Sequence, residues 1–140
     1  MNSVTWRETM FPARLASVRE VREFVESFCR DAGVVRPPSL RLNLVIEELF
    51  TNTVKYGHGG DSDSPVWIAL QAESAKVTLT YLDQSPPFNP FDTSVRPELG
   101  GEIEQRKVGG LGVLLATELA AQLEYAYLYG RNRLRLVMKR

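Results

Sequence analysis

Cysteine occurs once in this chain, at position 29, and histidine once, at position 58. A single thiol cannot close an intramolecular disulfide, and a single histidine without ligand companions reads as a polar loop residue rather than a metal ligand or phosphoacceptor. Cys29 therefore reads as a small buried hydrophobe. Charge of one sign is not in excess either, since 17 Lys and Arg residues balance 17 Asp and Glu. That balance gives no overall field to draw the chain to nucleic acid or to an anionic membrane, so a charged ligand must be held by local groups. The opening MNSVTWRETM lacks the apolar run of a signal peptide or membrane span. A cytoplasmic protein with neither nucleic-acid nor membrane partners is the expectation. Internal repeats and low-complexity tracts are missing too, and 140 residues suffice for one core. One domain over residues 1–140 follows.

What is present is a regular alternation of elements. An edge strand is expected within Thr5 to Phe11. Val18, Val21, Phe24, Val25 and Phe28 then fall at helical spacing between Ser17 and Arg30. Gly33 and two prolines end that helix, and Ser39 is a natural N-cap for a second one running to Gly57. A Gly, Ser and Asp-rich loop leads to strands at Val66 to Gln71 and Lys76 to Leu82, joined by the polar turn Glu73 to Ala75. From Phe88 to Val108 periodicity disappears; a stretch of that length inside a compact domain reads as a functional lid. A third helix is expected from Gly109 to Gln122. Two final strands, Glu124 to Tyr129 and Arg133 to Lys139, flank a turn at Gly130 to Asn132. Strands joined directly to one another point to an α+β two-layer sandwich, a mixed and mostly antiparallel sheet on about three helices.

Three stretches carry candidate chemistry. The first is VIEELFTNTVKYGHG, starting at Val45. Helix residues turn by about 100° each, so Leu42, Val45, Ile46, Leu49, Thr53 and Tyr56 form the core stripe. Glu47 falls nearly opposite and is expected to be solvated, whereas Glu48, Asn52 and Lys55 share one flank. The second stretch is YLDQSPPF, where Asp83 at a strand end can accept a hydrogen bond from a base amino group and Phe88 can contact a flat ring. Read alone, it is also an ordinary surface turn. The third is KVGGLGVLL, in which Gly109, Gly110 and Gly112 open a helix whose first N–H groups lack intrahelical partners. Such a start suits a phosphate, with Arg106 and Lys107 adding charge, although close helix packing explains the glycines equally well. The stretch does not match the GxxxxGK[ST] phosphate loop, and no strand leads directly into it.

Taken in order, the Glu-x-x-x-Asn helix, the acidic strand end, the long lid and the Gly-Leu-Gly helix start resemble the GHKL ATP-binding fold of histidine kinases, gyrase-type ATPases and anti-sigma-factor kinases. The DxxPPF form and the closing GGLGVLLATELAAQLEY and GRNRLRLV segments are most similar to the RsbW-like anti-sigma-factor serine/threonine kinases. The resemblance implies that Glu48 is the general base and Asn52 the Mg²⁺ ligand. Lys55, one turn further along the same flank, is placed either to touch a phosphate or to stand as a solvated lysine, and the resemblance further implies that Asp83 and Ser85 border the adenine. Gly110, Leu111, Gly112 and Val113 would form the phosphate-side helix start, with Arg106 and Lys107 at the hinge of an ATP lid over roughly residues 88–108. ATP and Mg²⁺ are the implied cofactors. A STAS-type anti-anti-sigma protein and a sigma factor are the implied partners, and a homodimer would form through the sheet side, for which the Thr5 to Phe11 edge could serve. Two departures stand out. Ser85 occupies a position where the family usually has glycine, which keeps a non-catalytic partner-switching module as the competing expectation. In the last strand, where some relatives place a Thr near adenine, this chain has Asn132 and Arg133, to neither of which a role is assigned.

Overall fold

The computed structural model describes residues 4–91 and 110–140, and of Leu111 the backbone alone. Strand β1 (Thr5–Pro12) and a 3-10 turn (Leu15–Ser17) lead into helix α1 (Val18–Ala32). Val21, Val25, Phe28 and Cys29 form its buried stripe, at the spacing of one helix face. Gly33, with φ of 72°, closes α1 in the left-handed conformation while the Val34 N–H donates to the Cys29 carbonyl at 2.8 Å. Helix α2 (Pro38–Asn52) begins one residue before the Ser39 expected to cap it. Pro38 is the first helical residue; its fixed φ suits that place, and its missing N–H removes a donor that would lack a helical partner. Ser39 is thus inside the helix, and its own N–H bonds the Val35 carbonyl at 3.0 Å.

The helical geometry of α2 does not continue unchanged to Gly57. Thr53–Gly57 forms a π turn, closed by the His58 N–H on the Thr53 carbonyl at 2.9 Å. A π turn advances more slowly around the axis than an α turn. Leu42, Val45, Ile46, Leu49 and Thr53 are buried as the wheel requires, but Tyr56 is carried off the stripe and is 48 % exposed. Phe50 and Val54, absent from the expected stripe, are fully buried.

The sheet comprises β1, β2 (Pro65–Ala72), β3 (Lys76–Asp83), β4 (Ala120–Leu128) and β5 (Arg131–Lys139), in the order β1-β2-β3-β5-β4. Every described pairing is antiparallel. Alternate residues Val66, Ile68, Leu70, Val77, Leu79, Tyr81, Leu134, Leu136 and Met138 join the helices in one core. Phe11 locks the layers together, its ring edge-to-face with Phe24 at 6.0 Å and Phe50 at 6.5 Å. Helix α3 (Leu111–Leu119) packs on α2 and is shorter than expected, since β4 already begins at Ala120.

The final hairpin differs from expectation by two residues. Its turn is Tyr129-Gly130, with φ of 54° and 77°, the pair of positive values that a two-residue type I′ turn needs. Asn132 therefore sits inside the ladder, directly opposite Asp83 of β3. The α+β two-layer architecture is the expected one.

Candidate functional site

Helix α2 forms the common wall of the site. On its flank Asn52 Nδ2 donates to Glu48 Oε2 at 3.2 Å, the contact expected from a four-residue spacing. Both side chains are half-buried. Burial raises the Glu48 carboxyl above the usual carboxylate range, against hydrogen bonds from Asn52 and the Gly112 backbone and the nearby charge of Lys55. Lys55 itself is exposed. Glu47 is not the free solvated carboxylate expected: Arg22 of α1 grips it through Nε at 2.7 Å and Nη2 at 3.1 Å. The wheel placed Glu47 away from the core but did not include α1, which packs along that side. The two adjacent glutamates nevertheless face different neighbours.

The start of α3 meets Glu48 directly. Leu114 N–H makes the first helical bond, to Gly110 O at 2.9 Å, so the N–H groups of Leu111, Gly112 and Val113 lie ahead of the helical ladder. That of Gly112 is directed to the Glu48 carboxylate. A Cβ on Gly112 would stand 2.3 Å from Glu48 Cβ and 3.1 Å from the Leu44 carbonyl oxygen, so this approach requires glycine. Both readings of the glycine cluster thus apply at once: close helix packing, and a helix start that accepts an anionic oxygen. Val113 is buried. Arg106, Lys107 and the lid from residue 92 onward lie outside the described residues.

At the far end of the wall lies Asp83, 5 % exposed. Its Oδ2 accepts from Thr53 Oγ1 at 2.7 Å, and Thr53 in turn meets the Tyr81 hydroxyl at 2.6 Å. Desolvation pushes the Tyr81 phenol well above its ordinary value, so it stays a neutral donor. Asp83 Oδ1 accepts from Ser85 N at 3.2 Å, Ser85 Oγ at 3.0 Å and Asn132 Nδ2 at 2.9 Å. Ser85 is buried, and the room for its Cβ comes from across the π turn: a Cβ on Gly57 would lie 2.8 Å from that of Ser85. The missing side chain of Gly57 thus leaves the space that the Ser85 side chain fills.

The three stretches therefore converge on α2 and the π turn that follows it, the third at Glu48 and the second at Thr53 and Gly57. Sequence reasoning missed Thr53, Tyr81 and Tyr125 as parts of the Asp83 network and left Asn132 without a role. Thr53 was hidden by its place on the core stripe, whose polar member was a signal available in the sequence.

The geometry agrees with comparison to known proteins. Residues 11–138 match the family model described as the histidine kinase-like ATPase domain, and the chain belongs to that family. Its fold is similar to the structure of the RsbU and RsbW domains of Rv1364c from Mycobacterium tuberculosis, with a TM-score of 0.61 and 15 % identity over 97 % of this chain. The chain spans 33 % of the length of that structure. It is also similar to the nucleotide-free catalytic domain of the histidine kinase ThkA, with a TM-score of 0.51 and 14 % identity, covering 95 % of this chain and 97 % of the other. Among curated proteins none matches. No described helix is long and apolar enough to cross a membrane.

Proposed function

We propose that the chain is a Mg·ATP-dependent protein serine/threonine kinase that phosphorylates a STAS-type anti-anti-sigma partner and binds a sigma factor. The observation that carries the reading is the Glu48 carboxylate, raised in basicity by burial, held by Asn52 on one side and by the α3 start on the other. The residues fit the implied groups. An amide oxygen beside a carboxylate suits a hard cation that keeps several waters, so Asn52 would hold Mg²⁺. The α3 start already directs an N–H to an anionic oxygen, so Gly110 to Val113 would hold phosphate, with Lys55 adding charge. Asp83 keeps one lone-pair direction on Oδ2 beyond its Thr53 bond, enough for one base amino N–H.

Bound Mg·ATP supplies the phosphoryl group and the neutralising charge that its transfer needs. Glu48 accepts the proton of the incoming serine hydroxyl as that oxygen becomes a nucleophile. A carboxyl with a raised pKa is the stronger base for this task at neutral pH, provided it remains ionised. The remaining residues position and exclude water; none of them needs to change protonation.

Incubation with radiolabelled ATP and the STAS-type proteins of the source organism tests the proposal. Label on partner serine, abolished by Glu48→Ala with nucleotide binding largely retained, is the expected result. Unchanged transfer by that variant overturns the base assignment, and label on histidine instead would indicate a split histidine kinase. A second reading, a partner-switching module without nucleotide, is favoured by one observation: three internal donors already crowd Asp83 Oδ1. Titration with labelled ATP analogue, with and without Mg²⁺, separates the two.

A further inference from the structure

Asn132 is 4 % exposed and stands opposite Asp83 in the sheet. Its amide is oriented from one side and spent on the other. Oδ1 accepts from the Tyr125 hydroxyl at 2.5 Å and from the Phe88 N–H at 3.0 Å. Nδ2 donates to Asp83 Oδ1 at 2.9 Å, to the Ser85 carbonyl at 2.9 Å and to the Pro86 carbonyl at 3.1 Å, and lies 3.3 Å from Ser85 Oγ. Two protons spread over four acceptors do not favour one strong bond; they tie one side chain to a whole segment. That segment, 85–88, contains two prolines and no helical or strand bonding of its own.

We infer that Asn132 is a positioning residue for base recognition: it fastens the Ser85 to Phe88 segment and fixes which oxygen of Asp83 is left to meet a bound base. The inference rests on the nucleotide-binding reading above. Oδ1 carries Asn132 and both Ser85 donors, so Oδ2, held by Thr53 alone, is the oxygen with capacity to spare. Removing the amide frees Oδ1 to compete and strips the 85–88 carbonyls of their donor, so the carboxylate loses its single orientation. The phosphate end of the site, one helix turn and more away along α2 at Glu48 and Gly112, does not touch Asn132.

Calorimetric titration of wild type, Asn132→Ala and Tyr125→Phe with Mg·ATP, Mg·GTP and inorganic tripolyphosphate tests this. Asn132→Ala should weaken ATP binding by about tenfold, toward the GTP value, with tripolyphosphate binding unchanged. Tyr125→Phe removes the donor to the amide oxygen and one of the two acceptors of the Phe88 N–H, the other being Asn132 Oδ1 itself; a smaller loss confined to ATP is expected, and this variant decides the matter if Asn132→Ala does not fold. Equal loss for ATP and tripolyphosphate, or no loss of ATP affinity, overturns the inference while leaving nucleotide binding standing. Wild type that binds neither ATP nor tripolyphosphate overturns the nucleotide reading and the inference with it.

Discussion

Gly57 and Ser85 offer a quantitative test of how the site is packed. An alanine methyl at position 57 would lie 2.8 Å from Ser85 Cβ and 2.9 Å from its Oγ, well inside the roughly 3.5–4.0 Å optimum for carbon contacts. Gly57 is not among the positive-φ glycines, so alanine fits the backbone and the penalty is steric. Overpacking of this kind costs about 1–3 kcal/mol, offset by about 0.4–1 kcal/mol because alanine restricts the unfolded chain. Ser85→Gly loses the hydroxyl bond to Asp83, which at 3.0 Å to a charged acceptor contributes about 1.5–3 kcal/mol. In the double variant the clash is gone and only the hydroxyl is missing. Gly57→Ala should therefore become neutral or mildly stabilising in the Ser85→Gly background, giving a coupling of about 1–3 kcal/mol. Urea unfolding followed by tryptophan fluorescence reads each corner of the cycle, and an unchanged denaturant slope confirms that stability alone was altered. Effects that add within about 0.5 kcal/mol would refute the packing argument.

Other outcomes follow from the same geometry. Glu48→Gln should abolish phosphotransfer yet raise the melting temperature at pH 7–8. A carboxyl whose folded pKa is raised favours folding below its unfolded value and loses that contribution as pH rises through the folded value, so the gain should vanish near pH 4 and below, where Glu48 is itself protonated. A gain that persisted there would contradict it. Gly112→Ala, with its Cβ 2.3 Å from Glu48 Cβ, must displace the α3 start; thermal denaturation should register a loss of about 1–3 kcal/mol, and nucleotide titration a weaker phosphate grip. Glu47→Ala breaks an exposed pair with Arg22 and should lower the melting temperature slightly, less so in high salt, with phosphotransfer intact. A Glu47 variant as inactive as Glu48→Ala would undo the division between the two carboxylates.

The layered α+β fold and the Glu48 to Asn52 flank could be read from the chain because both depend on local periods: two residues per repeat in strands, about 3.6 in helices. Asp83 was legible as a strand-end acid, but its donors were not. Thr53 reaches it from the π turn 30 residues upstream and Asn132 from the last hairpin, where Tyr125 in turn holds Asn132; these contacts are created by strand order rather than by spacing. The hairpin itself misled. Gly130 to Asn132 looked like a turn by residue type, whereas the structure takes Tyr129, fully exposed, into a positive φ and returns Asn132 to the ladder. Tertiary register outweighed the local preference of asparagine for turns. Pro38 displaced Ser39 as the start of α2 for a local reason instead: the ring's fixed backbone angle outweighed a side-chain cap.

The π turn at Thr53–Gly57 is a joint between the two ends of the site. A π turn holds one residue more between its bonded groups than an α turn does. Upstream of it the helix keeps the phase that aligns Glu48 with Asn52; the wider turn itself sets Thr53 against Asp83 and Gly57 against Ser85. The two ends of one site are thus geared separately, and lengthening or shortening the chain by one residue at this joint would rotate one end against the other without moving either on its own helix or strand.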